Sequence, residues 1–199
     1  WHLVYGETQK MVTQLTEKTL NNTLLLKILN SEDTWDKQWA MDHLPLNTLL
    51  TPELEQALLA NINDDDFSLA ENTLQSIKPV YLGSKTLQLG LLDKFSSSSY
   101  NLKNSITFKL SEAPVLDPKL ATSLATQLSH TNGELYINIL NLFQKHRVYD
   151  EQVLNRIADL LSHQNRFISS KSYEFLRKVD ISDGQWKEKL RRYESAKNQ

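Results

Sequence analysis

The chain is predicted to be an all-α protein, an α-solenoid of stacked antiparallel helix pairs with a 33-residue period, and three observations predict it. First, Leu54, Leu87, Leu120 and Val153 stand thirty-three residues apart, as do Leu58, Leu91, Leu124 and Ile157, and Ile62, Phe95, Leu128 and Leu161. The same step joins Leu69, Leu102, Leu135 and Ile168, then Ile77, Leu110, Phe143 and Leu176, then Leu82, Val115, Val148 and Ile181. With 40% of residues hydrophobic, about one of the thirty-three columns would be apolar in all four copies by chance, so the period marks a repeated supersecondary unit. Second, Thr51, Ser84, Asp117, Asp150 and Asp183 share one column, and Asp33, Asp66, Ser99, Asn132 and Asn165 share another. All ten carry a side-chain oxygen that can accept from the free N–H groups of a helix's first turn. Third, after each kind of cap the buried-type residues recur at helical spacing, Leu54, Leu58 and Ile62 and then Leu69, Thr73 and Ile77, rather than alternating as in a strand. Each unit is therefore two helices, and only its neighbours can cover both apolar stripes.

The elements follow in order within a single domain, 1–199. An opening unit, 1–50, keeps Asp33 in the second cap column and Leu25, Leu29 and Leu44 in register, but has Asn21 and Asp36 where apolar residues are expected. The stretch from Glu7 to Asn30 reads as two helices broken near Asn21-Asn22. Trp35 and Trp39, at i and i+4, read as core of this unit, and His43 follows Asp42 near a helix C-terminus, where a cation is favoured. Regular units run 51–83, 84–116, 117–149 and 150–182. Pro52 and Pro118 follow two of the caps at the first helical position, where a missing N–H costs nothing. The column of Leu82, Val115, Val148 and Ile181 is expected to close each linker onto the core. A terminal capping helix is expected within 183–199: Asp183, Trp186 and Leu190 keep register, while Glu194 and a dense run of Lys and Arg give the polar outer face that the end of a stack requires.

Composition bounds the function. The absence of cysteine among 199 residues excludes disulfides, thiolate metal sites and cysteine nucleophiles. No apolar run reaches membrane-spanning length and no signal-peptide pattern opens the chain, so membrane insertion is not expected. The compartment stays open between the cytoplasm and the periplasm or exterior. The start at Trp1 suggests a fragment or a processed protein. Charge is uneven: residues 1–82 hold five basic and twelve acidic side chains, and 166–199 hold nine and five. Nucleic acid is disfavoured as a partner, because a phosphate-tracking surface would repeat basic residues in one column, and the best column reads Asn72, Ser105, Asn138, Lys171.

A search for catalytic motifs is negative: no HExxH, no glycine-rich phosphate loop and no GxSxG stand in the chain. His130 and His163 share a column, but stacked helices sit about 8–10 Å apart, too far for two imidazoles to share a metal. Asp64, Asp65 and Asp66 lack the spacing and later glutamate of a calcium loop. No enzyme activity and no cofactor is therefore expected of the chain itself.

Binding is the remaining chemistry. In stacked pairs the second helices usually line the concave face, whose outward columns here are Ser68, Asn101, Glu134, Phe167; Glu71, Asn104, Ile137, Ser170; Asn72, Ser105, Asn138, Lys171; and Gln75, Phe108, Asn141, Glu174. Amides and hydroxyls dominate, with Phe108, Ile137, Phe167 and Phe175 as apolar anchors, a mixture suited to a protein or peptide segment. The residues expected to carry binding are Asn72, Gln75, Phe108, Asn138, Asn141 and Lys171.

Leu58-Leu59, Ile62, Asn63 and the aspartates 64–66, followed by Leu69, Ala70 and Leu74, resemble HEAT-like repeats, with Leu25-Leu26, Asn30, Asp33, Trp39-Ala40 and Leu44 as an earlier copy. The resemblance covers nearly the whole chain through degenerate motifs. It departs from the family pattern where Trp39 and Leu69, not Arg, precede the alanines, and where later units lack that alanine. The resemblance implies a HEAT-like superhelix that is a non-catalytic protein-binding or scaffolding module. Alternatively it implies an accessory C-terminal domain of a larger enzyme such as a zinc aminopeptidase, partnered with other domains of a longer polypeptide and with the catalytic residues outside this chain. The segment 36–44, Asp-Lys-Gln-Trp-Ala-Met-Asp-His-Leu, is similar to what such domains contain.

Overall fold

The computed structural model describes residues 6–47, 49–131, 133–181 and 184–197, and among these it has twelve α-helices and no strand. They are α1 (Glu7–Thr19), α2 (Asn22–Leu29), α3 (Thr34–Asp42), α4 (Pro52–Ala60), α5 (Phe67–Ser76) and α6 (Lys85–Ser97). The second half holds α7 (Tyr100–Leu110), α8 (Pro118–Gln127), α9 (Gly133–Lys145), α10 (Glu151–Asp159), α11 (Arg166–Leu176) and α12 (Trp186–Lys197). Asn132 and Asp183, two of the expected caps, lie outside the described residues.

All eight remaining cap positions directly precede a helix. Asp33, Asp66, Ser84, Asp117 and Asn165 accept from first-turn N–H groups. Thr51, Ser99 and Asp150 hold the position without that bond. The break before α2 falls as expected: α1 ends at Thr19, and Asn21 caps α2 by accepting from the Leu24 N–H at 3.0 Å. At the other end of a helix, Arg147 takes the left-handed conformation, φ 49°, so that the Val148 N–H can return to the Phe143 carbonyl at 2.9 Å and close α9.

From α2 onward each helix packs on the helix two places further along. One layer runs α2, α4, α6, α8, α10, α12 and the other α3, α5, α7, α9, α11, with α2 also against α3, α6 against α7 and α10 against α11. The first five apolar columns lie between the layers, and all twenty of their residues are buried. Each such side chain contributes roughly 1.5–3 kcal/mol on burial, so the packing of the helices on one another outweighs any single polar contact.

Three expectations fail, each for a readable reason. Val115 is 72% exposed, although Leu82 and Val148 of its column are buried; in that linker Ala113 and Leu116 turn inward instead. Trp35 is 83% exposed, because Ala40 and Met41 occupy the core side of α3, while Trp39 is partly buried and packs against the core as expected. Counting by thirty-three, Trp35 belongs with Ser68 and Trp39 with Asn72, in the outward columns. Phe175 is buried, 6.4 Å edge-on from Tyr149, and is no surface anchor.

Polar side chains stitch neighbouring units. Gln88, 3% exposed, donates through Nε2 to the Leu82 and Val115 carbonyls, at 2.7 and 2.8 Å, and accepts at Oε1 from the Asp117 N–H at 2.8 Å. One amide thus fastens the linkers on both sides of its unit. Tyr136 and Ser172 share a buried hydrogen bond of 2.6 Å, and burial pushes the Tyr136 phenol up to about 12. Asp64 accepts from the Ser99 N–H and hydroxyl, which is why the Ser99 side chain does not cap its own helix.

Replacing Gln88 with leucine leaves two carbonyls and one N–H without their partner, and a cost of about 2–4 kcal/mol in urea unfolding is expected. Tyr136→Phe should cost only about 1 kcal/mol, because Ser172 keeps its bond to the Ile168 carbonyl at 2.8 Å. A Gln88→Leu loss under about 0.5 kcal/mol contradicts the fastening role.

Acid tests the link between Asp64 and Ser99. The Ser99 hydroxyl and N–H hold Asp64 below the usual carboxylate range. Burial pushes Asp117 up, but Lys85 and the N–H groups of Lys119 and Leu120 outweigh it and leave that carboxyl lowered too. A carboxyl lowered on folding binds fewer protons folded than unfolded. Its stabilisation is therefore complete above the ordinary carboxylate value, near pH 4, and is lost as pH falls through the folded value. The urea midpoint should drop between pH 5 and pH 3, and by less in Asp64→Asn; equal drops would remove Asp64 from the account.

Candidate functional site

The layer that contains α5, α7 and α9 carries a groove of about 340 Å³ on its outward side. The outward columns reach it because buried Leu69, Thr73, Leu102, Ile106, Leu135 and Ile139 hold the opposite sides of the three helices in the core. Glu71, Leu74 and Gln75 come from α5, Asn104, Ser105, Phe108 and Lys109 from α7, Glu112 from the turn beyond it, and Glu134 and Asn138 from α9. Other depressions are larger, such as one of about 840 Å³ around Asn21–Lys27 and one of about 510 Å³ between the end of α10 and α12. The first is lined by α2 and its cap alone and the second lies at one end of the stack, whereas the α5/α7/α9 groove crosses three successive units.

Two contacts fix its floor. Asn138 Nδ2 donates to Asn104 Oδ1 at 2.9 Å, tying α9 to α7. Lys109, 7% exposed, donates through Nζ to the Ile77 carbonyl at 3.1 Å and to Glu112 at 2.8 Å, tying α7 to the end of α5. Phe108 stands 70% exposed between them. Glu71 Oε1 is enclosed and has no hydrogen-bond partner among the described residues.

Of the residues chosen from sequence, Gln75, Phe108 and Asn138 are brought together in the groove. Asn72 and Asn141 are exposed but do not line it, and Lys171 sits partly buried on α11, paired with Glu174 at 2.7 Å. The sequence choice missed Lys109 and Glu112. Lys109 shares a column with Ser76, Leu142 and Phe175, so a lone lysine among inward positions was the available signal. On α3, Trp35 is exposed, and Trp39 packs partly against the core and stacks on His43 at 3.9 Å between ring centroids.

The groove can donate and accept hydrogen bonds, attract a cation and cover an apolar edge. No cluster of three or more His, Cys, Asp or Glu side chains able to hold a metal ion occurs among the described residues, and none of their helices is long and apolar enough to cross a membrane. Compared with known proteins, the chain matches no family model, and no curated protein or solved structure is significantly similar to it.

Proposed function

We propose that the chain is a HEAT-like α-solenoid of 33-residue units that binds a protein or peptide segment on the concave face formed by its second helices, and that it supplies no catalytic group of its own. The observation that carries this reading is the groove across α5, α7 and α9, where an aromatic ring 70% exposed stands among amides held on packed helices. Binding sites built on such rigid elements lose little entropy on engagement. The solenoid itself is supported by the i-to-i+2 packing of helices and by an accessible surface of 12098 Å², where a compact protein of 23.0 kDa exposes about 9600 Å².

The second reading, an accessory domain of a larger enzyme such as a zinc aminopeptidase, draws on α1. Met11, Val12 and Leu15 are 58–67% exposed there, a stripe that a neighbouring domain would cover.

Partners recovered from a lysate on the immobilised chain test the first reading. Gln75→Ala with Phe108→Ala should weaken a recovered partner by about 2 kcal/mol while leaving the helical signal unchanged. Gln56→Ala with Lys119→Ala, on exposed positions of α4 and α8, should leave it bound. The reverse pattern places binding on the first-helix side instead.

A further inference from the structure

Resting on that reading of the groove, we propose that its occupant is an extended peptide segment that brings an arginine side chain into this groove beside Phe108, where the carboxylates of Glu71 and Glu134 attract it. The charge in the groove is one-sided. Three carboxylates, Glu71, Glu112 and Glu134, line it together with a single ammonium group, Lys109. That ammonium is committed to the Ile77 carbonyl and to Glu112. Glu71 and Glu134 are left without an ion pair among the described residues, so the groove as a ligand meets it is anionic and complementary to a cation.

Glu71 sharpens the demand. An enclosed carboxylate oxygen without a donor is costly, and a cation brought beside the Glu71 carboxylate offsets part of that cost. Arginine suits the place better than lysine: its planar guanidinium can donate two parallel hydrogen bonds to one carboxylate and stack on an aromatic face, and Phe108 presents such a face in the same groove. The amides of Gln75, Asn104 and Asn138 match the main chain of an extended segment. Three helices at about 8–10 Å spacing give a track of about 20 Å, which about six extended residues span.

The test uses random octapeptides displayed on phage, selected on the full chain and then measured as labelled synthetic peptides by fluorescence anisotropy. Selected peptides should carry arginine, and changing that arginine to glutamine should weaken binding by roughly tenfold or more. Glu71→Gln with Glu134→Gln should lose a similar factor, and Glu134→Gln alone, at an exposed position that folding does not need, should lose a measurable part of it. Peptides that lack a cation, or arginine peptides bound equally by the wild type and by Glu134→Gln, overturn the proposal. If cation-free peptides still lose binding to Phe108→Ala, the arginine is wrong and the peptide-binding groove stands. If no peptide is selected, both fall.

Discussion

A helix pair in this chain cannot cover its own apolar surface, and most of the structure follows from that constraint. Leu54, Leu87, Leu120 and Val153, with the columns beside them, are buried, and their helices α4, α6, α8 and α10 each pack on the helices two places before and after. Polar contacts serve to fix how one helix meets the next. Gln88 is the clearest case: its amide sits where two linkers converge and satisfies three backbone groups that burial would otherwise leave unpaired.

The same constraint makes the groove. Because α5, α7 and α9 turn their apolar sides inward, their outward sides are free to differ, and they carry amides, carboxylates and one exposed phenylalanine. Lys109 departs from the rule by placing a cation on the inward side, where its Nζ bridges the end of α5 and Glu112. A buried ammonium is tolerated only with such partners, and with Lys109 so engaged Glu71 and Glu134 have no ion pair among the described residues.

The core and the helix starts were legible in the sequence because both repeat: twenty residues in five columns are buried, and every described cap position begins a helix. Legibility ended where one unit differs from its neighbours. Val115 sits in an apolar column yet turns out, since its linker brings in Ala113 and Leu116. Trp35 has the residue type of a core side chain, yet its register places it with outward Ser68 and it is exposed. For the groove, Gln75, Phe108 and Asn138 were readable from their columns. Glu112 lies beyond the helix in a turn, and the convergence of these residues depends on how the helices cross, which periodicity does not encode.

Solution X-ray scattering tests the central claim, the stack, most directly. Six successive helices of one layer at about 10 Å spacing make a body about 60 Å long, with a radius of gyration near 20 Å, whereas a compact domain of this chain length has about 16 Å. A value near 20 Å, with a maximum dimension to match, is the expected result. A value near 16 Å would contradict an extended array of stacked units and, with it, a groove that crosses three of them.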